Sequence, residues 1–142
     1  MKKLIGFLTV AGAALLVSSC CNCGKTGSRA KSLTGGQWQL IQMDGEVFSA
    51  ENDAYTLSFS TDGKVTGKGD CNRLSGTFES DPQKRTILLG AMVSTRMMCL
   101  NQAGEDKFLD LLRTANSYSV DRRTLTLFSD GKQKLIFEKR KP

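Results

Sequence analysis

The stretch "RTLTLFSDGKQKLIFEK" (residues 123–139) decides the fold, because apolar and polar side chains alternate on both sides of an Asp-Gly step. Leu125 and Leu127 fall on one face of the first half, and Leu135 and Phe137 fall on one face of the second. A period of two is typical of a half-buried strand, and glycine accepts the positive φ of a tight turn. The stretch therefore predicts an antiparallel hairpin with one face in the core.

The same alternation recurs along most of the chain. Strands are predicted at 37–43, 54–60 and 86–90, and Asp-Gly turns at 43–48 and 60–65. The run "TILLG" at 86–90 has no polar residue after its first position, and we expect it to be a buried strand. The chain is thus predicted to be built mainly from antiparallel strands.

Residues 101–116, "NQAGEDKFLDLLRTAN", break this pattern and predict one amphipathic helix. Its apolar face is predicted to hold Phe108, Leu111, Leu112 and Ala115, and its outer face Glu105, Asp106 and Asp110. Asn101 is a candidate N-cap. A single helix among strands must lie across a sheet or close an open barrel end. The residues predict a mainly β (α+β) fold with one helix packed against the sheet.

The N-terminal segment has the features of a bacterial lipoprotein signal. A charged start and the apolar run 4–17 are followed by "VSSC", which resembles a lipobox ending at Cys20. Residues 1–19 are the expected signal peptide, 20–32 a flexible tether and 33–140 the folded domain. Acyl chains such as palmitate on Cys20 would anchor the protein in the cell envelope, at the outer membrane facing the periplasm. The alternative is an ordinary secretory signal and a soluble product.

The chain contains no histidine. This removes the commonest general base and metal ligand, and any Ser-His or Cys-His nucleophile pair. We therefore expect no catalytic residues, no cofactor, no metal and no enzymatic activity. The formal net charge is +6, but the sequence has no basic stretch interleaved with aromatic residues. Nucleic acid is therefore not an expected partner.

Cys71 and Cys99 are the cysteines of the predicted domain. Export to an oxidising compartment favours a disulfide between them. Two unpaired buried thiols, or a functional thiol or metal site, are the alternatives. Cys21 and Cys23 lie on the predicted tether, and no role is assigned to them.

Arg73 and Arg96 each lie within three residues of one of these cysteines. The simpler interpretation is that they form ion pairs with carboxylates such as Asp70, Glu79 or Asp81. The alternative is an anion-binding pair, because guanidinium groups suit carboxylate and phosphate.

Met92, Met97 and Met98 cluster before Cys99. Methionine fills irregular gaps in apolar cores, and this is the role that we expect for them. Binding of a soft metal or of an apolar ligand is the alternative.

Four segments together resemble the META domain, the HslJ-like family. They are "LTGGQWQLIQMDG" (33–45), "GDCNRLSGTF" (69–78), "LLGAMVSTRMMC" (88–99) and "NSYSVDRRTLTLFSDGKQKLIFEK" (116–139). The resemblance implies a small antiparallel sheet, curled like part of a barrel, with one helix. It also implies an exported or lipid-anchored protein linked to heat shock, envelope stress or drug tolerance, without catalytic residues or a defined ligand.

The resemblance implies that the positions matching the family motifs form a shared structural or binding centre. They are Cys71, Asn72, Arg73, Gly76, Thr95, Arg96, Met97 and Cys99. Asn72 is expected to satisfy backbone groups of a turn with its side-chain amide. Gly76 is expected to allow a close backbone approach.

Two functions follow from the sequence. The first is a lipid-anchored, non-enzymatic envelope protein that supports stress tolerance by binding another envelope component. The second is a carrier of a small ligand on the concave sheet face near Arg73 and Arg96.

Overall fold

A computed structural model describes residues 32–49 and 53–141. The predicted signal peptide, the predicted tether apart from Ser32, and Cys20, Cys21 and Cys23 lie outside the described residues. The elements are β1 (Gln37–Met43), β2 (Glu46–Val47), β3 (Thr56–Phe59), β4 (Lys64–Lys68), β5 (Arg73–Asp81), β6 (Thr86–Ser94), α1 (Gln102–Thr114), β7 (Ser117–Asp121), β8 (Thr124–Ser129) and β9 (Lys132–Lys139).

The strands form one antiparallel sheet whose two ends meet. Its order is β2-β1-β3-β4-β5-β6-β7-β8-β9, and β1 also pairs with β9 through partners such as Leu40 and Phe137. This pairing curls the sheet around its apolar face. The predicted mainly β fold, a curled antiparallel sheet with one helix, is confirmed.

The turns predicted from Asp-Gly steps are present at all three places. Asp44 and Gly45 have φ of 48° and 92°, and Asp130 and Gly131 have φ of 50° and 75°. Positive φ at both central residues is the requirement of the hairpin turn that follows the natural twist of the strands. Gly63, with φ of 79°, reverses the chain between β3 and β4.

The core fills the concave side of the sheet. Side chains that are entirely or almost entirely buried include Trp38, Leu40, Met43, Leu57, Val65, Leu74, Phe108, Leu112, Leu125, Leu127, Leu135 and Phe137. Helix α1 packs against β6 and places Phe108 with its ring centroid 5.2 Å from that of Tyr55 and 6.2 Å from that of Phe137. The helix thus covers part of the sheet's apolar face.

The prediction of a fully buried strand at 86–90 is wrong in one respect. Ile87 and Leu89 are buried, but Leu88 between them is 62% exposed, and the strand continues to Ser94. Successive side chains of a strand point to opposite faces, and only one face of this sheet meets the core.

Candidate functional site

The two motif segments that contain the cysteines meet where β5 begins and β6 ends. Leu74 of β5 pairs with Ser94 of β6, and Cys71 and Cys99 form a disulfide with a Cα–Cα distance of 5.8 Å. The predicted disulfide is therefore present, and the interpretation as unpaired thiols is wrong. We call residues 70–73 and 94–99, together with Glu105, the cysteine junction.

Asn72 is the centre of the cysteine junction, with only 1% of its surface exposed. Its Oδ1 accepts hydrogen bonds from the Thr95 hydroxyl at 2.8 Å and from the Met97 backbone N–H at 2.7 Å. Its Nδ2 donates to the Met97 carbonyl at 3.2 Å and to Cys99 Sγ at 3.0 Å. Asn72 therefore holds the segment after β6, and its side-chain amide bonds to the backbone of that segment and not to the turn in which Asn72 itself lies.

Glu105 lies beneath the junction, and the prediction that it faces outward is wrong. Its side chain is 1% exposed, and Oε2 accepts from the backbone N–H groups of Cys71 at 3.3 Å and Asn72 at 3.2 Å. Ser94 Oγ lies 3.3 Å from its other oxygen. Among the described residues no lysine or arginine forms an ion pair with Glu105. Its position in the first turn of α1 is favourable for a negative charge.

No sequence signal distinguishes Glu105 from its neighbour Asp106. Both are acidic residues in the first half of one helix, and the capping box would require Glu or Gln at Gly104 instead. The N-cap prediction, in contrast, agrees with the structure, because Asn101 Oδ1 accepts from the Gly104 N–H at 3.1 Å. Only the packing of the helix under residues 69–72 identifies Glu105 as a partner of the junction.

The sulfur atoms and the Glu105 carboxylate lie within 4.8 Å of one another, which is the spacing of a metal site. Both sulfur atoms, however, belong to the disulfide and offer no thiolate to a cation. The same bond removes the nucleophile that a thiol enzyme would need. The disulfide of the cysteine junction joins the segment before β5 to the segment after β6.

Glycines allow the close packing around the junction. A Cβ at Gly69 would lie 2.7 Å from the Glu105 carboxylate oxygen. A Cβ at Gly76 would lie 2.9 Å from the Gly90 carbonyl oxygen and 2.6 Å from Met92 Sδ. Gly76 thus permits the approach of β6 at the irregular register between Ser75 and Thr77.

We expect Gly76→Ala to lower the free energy of unfolding by about 1–3 kcal/mol, because the backbone carbonyl of Gly90 cannot move away as a flexible side chain can. Urea unfolding monitored by circular dichroism measures the effect. Ser75→Ala, on the exposed face of the same strand, is the matched control and should change stability by less than about 0.5 kcal/mol. Equal stabilities of the two variants would show that the close approach is not required.

Tyr55 connects the junction to the core. Asn101 Nδ2 lies 3.4 Å from its hydroxyl, and its ring packs against Phe108. Burial raises the pKa of the Tyr55 phenol to about 12, and the nearby charges of Asp70 and Glu105 act in the same direction. The neutral phenol is therefore the form that the folded protein favours.

This pKa predicts a loss of stability in strong alkali. Between about pH 10 and about pH 12 the unfolded chain releases the Tyr55 proton while the folded protein retains it, so the free energy of unfolding falls as pH rises. Urea unfolding of the wild type at about pH 9 and about pH 11 should show a larger decrease than that of Tyr55→Phe. Equal decreases in wild type and Tyr55→Phe would contradict the prediction.

Two surface grooves share residues 93–95 and Met97 in their walls. The helix groove, about 850 Å³, runs beside α1 and includes Arg96. The sheet groove, about 1110 Å³, crosses the outer face of β3 to β6 and includes Arg73. The two arginines therefore line different grooves, and this placement does not support the alternative interpretation of Arg73 and Arg96 as one anion-binding pair.

Neither arginine makes the ion pairs that the sequence suggested. Among the described residues, no carboxylate forms an ion pair with Arg73 or Arg96. The Asp70 carboxylate faces the Asn101 N–H at 3.4 Å, and Asp81 lies beside Lys84.

The ligand site predicted on the concave sheet face is also not formed there. That face holds the apolar core, whereas Arg73 is exposed on the opposite face from its neighbour Leu74. The side-chain alternation of β5 is the cause, since adjacent residues of a strand point to opposite faces. The openings near the two arginines lie instead on the outer surface.

The methionines divide between core and surface, which corrects the prediction that all three fill the core. Met92 is 8% exposed and packs in the core. Met97 and Met98 are 58% and 102% exposed, and Leu100 is 109% exposed. The tight loop imposed by the disulfide at Cys99 and by Asn72 turns these three side chains outward. We call Met97, Met98 and Leu100 the apolar segment.

The fold and the cysteine junction define a small mainly β domain without an evident catalytic centre among its described residues. The META domain family model matches residues 31–142, and the chain belongs to this family. No curated protein matches the chain.

Solved structures share the fold. A protein from Burkholderia xenovorans solved by NMR is 27% identical, with a TM-score of 0.61, over 80% of this chain and 87% of its own. A DUF4847 family protein from Bacteroides vulgatus ATCC 8482 is 20% identical, with a TM-score of 0.57, over 75% of this chain and 93% of its own.

Proposed function

We propose that this META domain protein is a non-enzymatic binding protein of the bacterial cell envelope, which supports stress tolerance by engaging another envelope component. In this proposal acylated Cys20 holds it at the outer membrane, facing the periplasm. The observation that carries the proposal is the apolar segment, whose three large side chains are exposed on a loop whose backbone is held by Asn72 at Met97 and by the disulfide at Cys99.

The apolar segment has the properties of a contact surface. Burying one such side chain contributes about 1.5–3 kcal/mol, so three of them within four residues of the chain offer a substantial gain to a partner. Contiguous exposed apolar patches commonly mark interaction sites. Because Met97 is held at both its N–H and its carbonyl by Asn72, less conformational entropy is lost when a partner binds.

Within the described residues, no helix has the length and apolar composition needed to cross a membrane. The membrane attachment in this proposal is through Cys20. The lipobox-like "VSSC" at residues 17–20 supports it. Mass spectrometry of the mature protein tests this part directly, through the mass of acyl chains on Cys20.

Complementation of a deletion strain tests the function. We expect the deletion to reduce growth under heat, detergent or antibiotic challenge, and the wild-type gene to restore it. The triple variant Met97→Ser, Met98→Ser, Leu100→Ser should fail to restore growth at equal protein abundance, because the contact surface is lost. Cys20→Ala should fail as well, because the protein is no longer held at the membrane.

The matched control is Val47→Ser with Leu88→Ser, which removes two exposed apolar side chains outside the segment. This variant should restore growth fully. A deletion without effect under every challenge would contradict the stress function. Full restoration by the triple variant would contradict the role of the apolar segment.

A further inference from the structure

The sheet groove contains two cations that face each other on neighbouring strands. Lys68 of β4 and Arg73 of β5 are directly opposite partners in the antiparallel register, and both line the groove. Their Cα atoms are therefore about 4.5–5.5 Å apart, and their side chains leave the sheet on the same face. Like charges placed directly opposite each other destabilise a sheet. Within the described residues no acidic side chain forms an ion pair with either of them.

The remaining charges of the groove do not cancel this pair. Asp53 is the carboxylate among the lining residues, and its Oδ1 lies 2.8 Å from Arg140 Nη2. The hydrogen bond from Arg140, its charge and the charge of Lys68 hold the pKa of Asp53 below its usual value. The Asp53 carboxylate therefore offsets one of the three cations of the groove, Arg140, Lys68 and Arg73, and the lining retains a net charge of two positive units.

Hydroxyl groups adjoin the two cations. Thr66 lies two residues before Lys68 on β4, and Ser75 lies two residues after Arg73 on β5. Thr66 and Ser75 are themselves opposite partners, so the four residues form a square on two neighbouring strands. All four line the groove. We call these four residues the cation square.

We propose that the cation square is a binding site for a phosphate group, carried by a soluble phosphate compound or by a lipid headgroup. This inference goes beyond the proposed function, since it requires neither acylation nor the apolar segment. A phosphate monoester carries about two negative charges at neutral pH and three acceptor oxygens, whereas a carboxylate carries one charge. The two charges match Lys68 and Arg73, and the oxygens match the guanidinium fork and the two hydroxyls.

The lining of the sheet groove offers contacts to a phosphate group but no stacking surface for a base attached to it. The lining residues include no aromatic side chain on which a base could stack, and the single tryptophan, Trp38, is buried in the core. Recognition by the cation square would therefore be electrostatic and would weaken as salt concentration rises.

Titration of the full chain, as exported and processed by the expressing cell, tests the site. Inorganic pyrophosphate is the soluble probe, acetate at equal ionic strength is the reference anion, and backbone amide shifts in NMR spectra are the readout. We expect pyrophosphate, and not acetate, to shift the amides of Lys68 and Arg73. Arg73→Gln should raise the Kd about tenfold, and Lys68→Gln with Arg73→Gln about a hundredfold or more.

Lys84→Gln with Lys132→Gln removes the same number of charges outside the groove and should leave the Kd within about twofold. Unchanged amide shifts far from the groove show that each variant remains folded. Equal affinities of the two double variants would overturn the proposal, because binding would then reflect net charge alone.

A second titration distinguishes the two sources of phosphate. Bicelles of phosphatidylcholine are compared with bicelles that also contain phosphatidic acid, whose headgroup is a phosphate monoester. Shifts of the Lys68 and Arg73 amides with phosphatidic acid, but not with pyrophosphate, would support a lipid headgroup as the ligand. Shifts with pyrophosphate and none with phosphatidic acid would support a soluble phosphate compound. No shift of these amides with either probe would overturn the proposal.

Discussion

Replacing Cys71 and Cys99 together with serine is expected to lower the free energy of unfolding by about 3–4 kcal/mol. The disulfide joins residues 28 positions apart, and closing a loop of that length restricts the unfolded chain by about this amount of free energy. Small domains are stable by about 5–15 kcal/mol in total, so the loss is a large fraction of the stability. Urea unfolding of the wild type and of the double variant measures it.

Reduction of the wild type is the internal control for this prediction. In the presence of a thiol reductant the wild type should unfold near the midpoint of the double variant, while the double variant itself should be unaffected. A wild-type midpoint that does not move on reduction would show that the cross-link contributes nothing. Because the bond also holds Cys99 beside Asn72, amide hydrogen exchange of residues 94–99 should accelerate in the double variant.

Replacing Glu105 with alanine is expected to lower the free energy of unfolding by about 3 kcal/mol or more. The substitution leaves the backbone N–H groups of Cys71 and Asn72 without their acceptor, and a buried donor without a partner costs about 1–3 kcal/mol. It also opens a space under Gly69, whose backbone packs against the carboxylate. Chemical unfolding of the purified protein measures the loss.

Two variants separate the role of Glu105 from that of helix charge. Glu105→Gln retains one carbonyl oxygen for both N–H groups and should cost only about 1 kcal/mol. Asp106→Ala removes the adjacent, exposed carboxylate from the same helix and should change stability by less than about 0.5 kcal/mol. If Glu105→Ala were no less stable than Asp106→Ala, the buried carboxylate would have no structural role.

Much of the fold could be predicted from local patterns. The alternation in 123–139 and the Asp-Gly step at Asp130 led to β8, β9 and their turn. The helical spacing of Phe108 and Leu112 led to α1, and Asn101 caps it as expected. These features depend on neighbours in the chain, because periodicity and turn chemistry act over a few residues.

The junction could be predicted only in outline. Export and the two cysteines favoured the Cys71–Cys99 disulfide, and the family motifs pointed to Asn72 and Gly76. The hydrogen bonds that Asn72 makes to Met97 connect the residue before β5 with the segment after β6. No local pattern specifies such a pair, since the partners are brought together by the register of two strands.

The sequence by itself determined the mainly β class, the hairpin turns, the single helix and the choice of cysteines, since each depends on residue type and short-range spacing. The tertiary structure decided which side chains face which environment. It buried Glu105, turned Met97 and Met98 outward, and placed Lys68 opposite Arg73. The physical reason is that strand register and the packing of α1 are set by the whole core at once, and a change of one residue in register turns every side chain of a strand to the other face.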